Sequence, residues 1–205
     1  MISVIDYGVG NLYSLVSSLS ALGIEAKITG DKEEIKNSDK IILPGVGAFS
    51  DAAARLRETG LDKVVIEEAK SGKPLMGICL GMQLLFEKSY EYGEHEGLGL
   101  IPGNVRPIKD VIGEGLKIPH IGWNALNFPE GKEKSAIFKY LKEGDFVYFV
   151  HSFYCADCAS YVTATAEYGA DLTAAAENKN VFGCQFHPEK SGDVGLKILK
   201  AFSEL

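Results

Sequence analysis

The sequence predicts an α/β fold: a mainly parallel central sheet flanked by helices, with additional antiparallel strands in the second half. Two observations carry this. In the first half, short apolar segments alternate with stretches of helical apolar spacing, the pattern of a parallel sheet with crossover helices. In the second half, strand-like segments follow one another with turns rather than helices between most of them. The chain has 205 residues and no internal repeat, low-complexity tract or Ser/Pro-rich linker. Residues 1–205 are therefore expected to form one domain.

Residues 2–6 (ISVID) read as a short apolar strand. Residues 12–22 (LYSLVSSLSAL) carry helical spacing, and Gly23 stops that helix before a strand at 25–29 (EAKIT), completing a βαβ unit. Asp31 with Glu34 has the form of a capping box opening a short helix. A third strand follows at 40–45 (KIILPG), then a helix in LDKVVIEEAKSG (61–72). A fourth strand, PLMGIC (74–79), runs into a helix from Leu80 to about Ser89. The later strands are placed in VRPIK, PHIGWNAL, DFVYFVHSF, YVTATAEYG, LTAAAEN and VFGCQFHP. A closing helix, Asp193 to Phe202, turns Val194, Ile198, Leu199 and Phe202 inward.

Composition narrows the function classes. Hydrophobic residues make up 46% and charged residues 24%, and no apolar run approaches the length of ~18 residues that a membrane helix needs. The opening MISVIDYGVGN lacks the basic start and apolar stretch of a secretory signal, so a cytoplasmic protein with no membrane association and four free thiols is expected. The formal net charge of −7, with lysines and acids interspersed as in DKEEIK, argues against nucleic acid as a partner.

In an open parallel sheet, ligands bind beyond the carboxyl ends of the strands. Three such ends stand out: PGVG (44–47), GICLG (77–81) and QFHPEKSG (185–192). GICLG has the form of a nucleophile elbow with Cys79 in place of serine. A sharp strand-to-helix turn strains its central residue and leaves little room beside it, which accounts for Gly77 and Gly81. The helix start at the next residue favours a thiolate and an oxyanion, with the Leu80 N–H as one donor. A buried packing cysteine fits the same stretch.

A thiol nucleophile needs a base from elsewhere in the chain. His95 lies in polar YGEHEGLG, an expected exposed loop, and His120 and His151 sit in or at the ends of apolar strands as structural imidazoles. His187 ends VFGCQF, is followed by Pro188, which stops sheet pairing, and then by Glu189, which can orient the ring. Cys79, His187 and Glu189 thus form a candidate triad, although HPE alone is equally a turn with a capped helix. In LPGVGAF two glycines allow close backbone approach, and the Val46 N–H is a second oxyanion donor unless this is an ordinary turn.

DYGVGNLY resembles a phosphate-binding loop, but Tyr13 occupies the place of a third small residue and no Lys-Ser/Thr follows. Nucleotide binding is not expected. Cys155 and Cys158 form one C-x-x-C pair in an expected loop without a second pair, so neither a metal nor a cofactor is expected. Trp123 in HIGWN reads as core or interface.

Together, PGVGAF, GICLGMQLLF, HSFY and QFHPEKSG, with DYGVGNL at the start and HIGWN in the middle, resemble the triad (class I) glutamine amidotransferases almost end to end. Within that class the likeness is to the glutaminase subunits of imidazole glycerol phosphate synthase. Anthranilate synthase partners typically carry PGPG in place of PGVG, and pyridoxal phosphate synthase glutaminases carry a PGGEST-like segment.

The resemblance implies that Cys79 attacks the side-chain amide of glutamine, that His187 serves as acid and base, and that Glu189 orients it. It places Gln83, Gly47, Ser152 and Phe153 around the substrate, and makes PGVG an oxyanion strand whose orientation depends on a partner, with the Val46 peptide misoriented in the lone subunit. It also implies a cyclase subunit, a β/α barrel of roughly 250 residues for which this chain has no room, forming a heterodimer. Asn11, Trp123 and Tyr148 match positions near that contact and fit simple packing equally.

CADCAS after HSFY departs from the family's usual polar, acidic or proline-containing loop. Competing readings are a glutaminase subunit of another amidotransferase, a cysteine hydrolase or chaperone of the related fold, and a catalytically silent regulatory subunit. The joint presence of Cys79, Gln83, His187 and Glu189 speaks against the last.

Overall fold

A computed structural model describes all 205 residues. The first βαβ unit forms where the sequence places it: strand β1 (Ile2–Ile5), helix α1 (Leu12–Ala21) and strand β2 (Ala26–Thr29), with β2 parallel to β1. Helix α2 (Lys32–Asn37) is capped by Asp31, whose carboxylate accepts the Glu33 and Glu34 N–H groups at 2.9 and 3.0 Å. The return half of the expected capping box is missing. Glu34 binds Lys27 and the Thr29 hydroxyl instead, and the Thr29 hydroxyl accepts the Asp31 N–H.

Strand β3 (Lys40–Gly45) is followed by helix α3 (Phe49–Thr59), which the sequence reading missed. Its buried face, Phe49, Ala52, Ala53 and Leu56, keeps helical spacing, but two alanines weaken the apolar signal. Helix α4 (Leu61–Lys70) follows Gly60, a left-handed joint at φ +68°. Strand β4 (Leu75–Cys79) runs directly into helix α5 (Leu80–Leu84).

That helix does not reach Ser89. The Leu98 and Leu100 N–H groups bind the Leu84 and Leu85 carbonyls, which are then unavailable to a further helical turn. Phe86–Ser89 forms strand β5 instead. Strands β6 (His95–Glu96) and β7 (Ile101–Pro107) join it, so His95 is half-buried on a short strand rather than in an exposed loop.

The second half contains strands β8 (His120–Ala125), β9 (Phe146–His151), β10 (Phe153–Ala156), β11 (Val162–Glu167), β12 (Asp171–Asn178) and β13 (Val181–Cys184), then helix α6 (Gly192–Ser203). The main sheet runs β11-β12-β13-β4-β3-β1-β2. From β13 to β2 every pair is parallel, whereas β11, β12 and β13 pair antiparallel. A second sheet runs β10-β7-β5-β6, and β8 with β9 forms an antiparallel ribbon.

Each face of the main sheet carries its own core. On β3, Ile41 and Leu43 point into one cluster with Phe49 and Val65, and Ile42 points into the other with Phe149 and Phe202. Each such buried side chain contributes about 1.5–3 kcal/mol of burial. Helix α6 buries Ile198, Leu199 and Phe202 on the second cluster, with Val194 partly buried against it. No helix is long and apolar enough to cross a membrane.

Candidate active site

Cys79 occupies the turn from β4 to α5 with φ 55° and ψ −113°, a left-handed conformation costly for a residue with a side chain. The flanking glycines are required by space rather than by φ. A Cβ on Gly77 would lie 2.6 Å from the Gly81 carbonyl oxygen, and one on Gly81 would collide with the Leu43 carbonyl oxygen. Backbone packs so closely on both sides of the elbow that only hydrogen fits. Cys79 is 7% exposed, and that exposed part opens into a pocket of about 350 Å³.

Parallel pairing brings the other strand ends level with it. On one side Gly45 of β3 is the register partner of Cys79, and on the other Cys184 of β13 pairs with Ile78. Three residues beyond Cys184 comes His187. Its backbone N–H donates to the Tyr148 carbonyl at 3.0 Å, and its carbonyl accepts from the Ser191 hydroxyl at 2.6 Å. Ser191 in turn accepts the Tyr148 N–H, which ties the HPE segment to β9.

His187 Nδ1 lies 2.7 Å from Glu189 Oε1, with both side chains buried. Glu189 accepts the Nδ1 proton and leaves Nε2 for chemistry. Nε2 is buried with no hydrogen-bond partner of its own, and the Cys79 sulfur lies beside it. Burial works against the imidazolium, but the attraction of the neighbouring Cys79 and Glu189 side chains outweighs it and raises the His187 pKa to about 9. The three residues selected from sequence are therefore together.

Most of the other selected residues line the same pocket. Val46, Gly47, Leu80, Gln83, Ser152 and Phe153 all border it. Gly47 has φ +93°, and Val46 is 41% exposed. Behind them the buried Tyr7 hydroxyl donates to the Pro44 carbonyl at 2.8 Å and fixes the base of this loop. Burial, with a smaller contribution from Cys79, pushes the Tyr7 phenol well above its ordinary range, so it stays a donor.

Gln83 Nε2 donates to the Phe153 carbonyl at 3.2 Å, and the same carbonyl lies 2.8 Å from His151 Nδ1. His151 Nε2 is in turn 3.1 Å from His120 Nδ1. Burial, chiefly, holds His151 down to about 4, so it is a neutral imidazole at the pocket wall.

Sequence reasoning passed over Glu91, His151 and Lys190, all of which border the pocket. Glu91 also accepts the Phe49 N–H at the start of α3, a contact across 42 residues of chain that no local motif signals. Asn11 lies apart from the main pocket, at a small cleft behind the triad that Pro44, His187 and Glu189 also line. Trp123 and Tyr148 face each other across β8 and β9, rings edge to face at 6.1 Å, with Trp123 54% exposed.

Only half of the C-x-x-C pair lies in a loop, Cys158 in the connection that follows β10. Cys155 belongs to β10, and both Cys155 and Cys158 are buried in the core that contains Phe49, whereas Cys184 lies in the opposite core. Burial pushes all three thiols up. No group of three or more His, Cys, Asp or Glu side chains is arranged to hold a metal ion.

Comparison with known proteins adds the family. Residues 3–204 match the family described as glutamine amidotransferase class-I. The imidazole glycerol phosphate synthase subunit HisH of Caldanaerobacter subterraneus subsp. tengcongensis is 50% identical over 206 residues, covering 100% of this chain and 98% of that protein. The HisH subunit of Wolinella succinogenes is 49% identical with both chains fully covered. Among solved structures, PurLQS from Thermotoga maritima superposes with a TM-score of 0.76 at 21% identity, over 98% of this chain and 96% of that one, which is a likeness of fold. An elbow thiol at one strand end of this sheet and an imidazole with its carboxylate beyond the neighbouring one, with half of the residues shared along the full length, place the chain in the class-I glutamine amidotransferase family, among the HisH subunits of imidazole glycerol phosphate synthase.

Proposed function

We propose that this chain hydrolyses glutamine to glutamate and ammonia as the glutaminase subunit of an imidazole glycerol phosphate synthase in histidine biosynthesis. It passes the ammonia to a separate cyclase subunit of β/α-barrel type, which makes imidazole glycerol phosphate and AICAR in the cytoplasm. The observation that carries the reading is His187, held by Glu189 at 2.7 Å through one ring nitrogen with Cys79 beside the other.

The Cys79 sulfur attacks the side-chain amide carbon of glutamine, and the tetrahedral intermediate collapses to a glutamyl thioester as the C–N bond breaks. His187 Nε2 gives its proton to the departing nitrogen, then takes one from the water that cleaves the thioester. Glu189 holds the ring and balances its charge. Gln83, Gly47, Ser152 and Phe153 surround the substrate, and the oppositely charged Glu91 and Lys190 at the same pocket suit a zwitterionic amino acid.

The developing oxyanion takes N–H groups from Leu80, free as the first residue of α5, and from Val46. In the isolated subunit the Val46 peptide is turned away from the site, and docking of the cyclase turns it in. The partner lies against the outer face of β8 and β9, where Ile121, Trp123 and Phe146 are each more than half exposed beside Tyr148, and reaches Asn11 at the cleft that His187 and Glu189 also line. Single scattered apolar residues are ordinary on a surface, but a row of them on one ribbon marks a contact.

The test is glutamate release from glutamine by the chain alone and with the cyclase subunit and its nucleotide ligand, for native protein and for Cys79→Ala. Slow release alone, large stimulation in the complex and none by Cys79→Ala are expected. Undiminished turnover by Cys79→Ala overturns the mechanism.

A further inference from the structure

We infer that Gln185 is a further active-site residue of this glutaminase, donating an N–H to the Cys79 sulfur while its amide oxygen fixes the orientation of Gln83. The inference rests on the glutaminase reading and deepens it. Gln185 is fully buried at the end of β13, behind the pocket wall rather than on it, and its backbone N–H is taken by the Ala174 carbonyl at 2.8 Å. A buried neutral amide without partners costs more than it returns, so its side-chain contacts ask for a reason.

Those contacts fix its orientation. The Phe153 carbonyl can only accept, so the Gln83 atom 3.2 Å from it is the amide nitrogen. That nitrogen carries two hydrogens. The second goes to the Gln185 side-chain oxygen at 3.0 Å, which requires Gln185 to present oxygen to Gln83 and nitrogen to the other side. On the other side, 3.8 Å from Gln185 Nε2, is the sulfur of Cys79. No alternative flip satisfies all three contacts. The chain of donors therefore runs from Gln83 to Phe153, from Gln83 to Gln185, and from Gln185 to the nucleophile.

Two consequences follow for the chemistry. With both amide hydrogens of Gln83 committed inside the protein, its oxygen is the group left for the substrate, and Gln83 becomes a fixed acceptor instead of a rotating amide. At the sulfur, the thiol form donates to the Val150 carbonyl at 3.9 Å, a contact that turns repulsive once the proton leaves. The Gln185 N–H behaves in the opposite way. A hydrogen bond to an ionised acceptor is roughly twice as strong as one to a neutral acceptor, so this donor favours the thiolate over the thiol. It is supplied from β13, independently of His187, which lies on the segment beyond that strand.

The test uses the full chain in complex with the cyclase and reads two quantities: the KM and kcat of glutaminase turnover, and the rate of Cys79 alkylation by iodoacetamide at neutral pH without glutamine. Gln185→Met keeps the volume and removes both contacts. Alkylation slower by about tenfold, with KM raised about tenfold, is expected from the loss of one buried hydrogen bond at each end. In a Gln83→Met background the same substitution is expected to leave KM unchanged while still slowing alkylation, because its effect on binding runs through Gln83. Gln185→Glu keeps an oxygen for Gln83 and removes the amide donor; slower alkylation with KM near the native value is expected, and this variant carries the test if the methionine variant does not fold. Alkylation within twofold of native in the variant that folds overturns the inference, as does a KM effect undiminished by Gln83→Met. Alkylation needs no glutamine, so a native complex that releases no glutamate overturns the glutaminase reading and leaves this comparison standing.

Discussion

Two histidines border the same pocket and are driven to opposite charge states. His187 is raised to about 9 and His151 lowered to about 4, although both are buried. Burial alone penalises the charged form of each, so the difference lies in their partners. His187 has a carboxylate on one side and a thiol on the other, whereas His151 has a backbone carbonyl and a second imidazole. The first arrangement suits proton transfer. The second holds the Phe153 peptide still, a task for which a fixed neutral tautomer serves best.

Substitution of the two should separate these roles. His187→Gln is expected to lower kcat by about 10³-fold or more, the contribution of a lost general acid and base, as read from glutamate release in the complex. A comparable loss in His151→Gln would erase the distinction.

The pH dependence of stability sharpens it next. His151, depressed from an ordinary 6.5 to about 4, contributes stability that is fully present above about 6.5 and lost as pH falls towards 4, by at most about 3 kcal/mol. His187, raised to about 9, works in the other direction: its contribution is present below about 6.5 and lost as pH rises through 9. Denaturant titrations across this range are expected to show a flatter acid limb for His151→Gln and a flatter alkaline limb for His187→Gln. Limbs that exchange places would reverse the assignment.

Smaller effects should come from the groups behind each ring. Glu189→Gln keeps a hydrogen-bond acceptor but removes the charge that helps hold His187 up, and a drop of about 10–100-fold in kcat is expected. The alkaline limb should move to lower pH with it. His151→Gln, with the Phe153 carbonyl less firmly held, is expected to raise KM by about tenfold at near-native kcat. A change confined to kcat would show His151 acting on the chemistry itself.

The same contrast explains what could be read from the sequence. Cys79, His187 and Glu189 were legible because each sits in a local pattern with a physical cause: glycines where backbone crowds the elbow, and a proline ending a strand beside a carboxylate. Glu91 and Gln185 were not, since one acts on Phe49 and the other on Gln83, 102 residues away. Among the elements, β1 to β4 were read correctly because apolar runs bounded by turns specify buried strands. Helix α3 escaped because alanines supply half of its buried face, and β5 because LLF continues the apolar run of α5 with no punctuation. Of the C-x-x-C pair, Cys158 lies in a loop as read and Cys155 on β10 instead, and the burial of both thiols in the core was not legible from the pair alone.

Strand β13, whose register brings Cys184 alongside Ile78, also sets an order of events at the ribosome. Cys79 is synthesised before the midpoint of the chain, and His187 more than a hundred residues later, on a segment positioned only when β13 pairs with β4. Such long-range parallel pairing forms late because its loop-closure entropy comes first. A nascent or truncated chain that stops short of β13 carries Cys79 without His187, and on the proposed mechanism it is expected to be inert towards glutamine, with ammonia release beginning only once the sheet is closed.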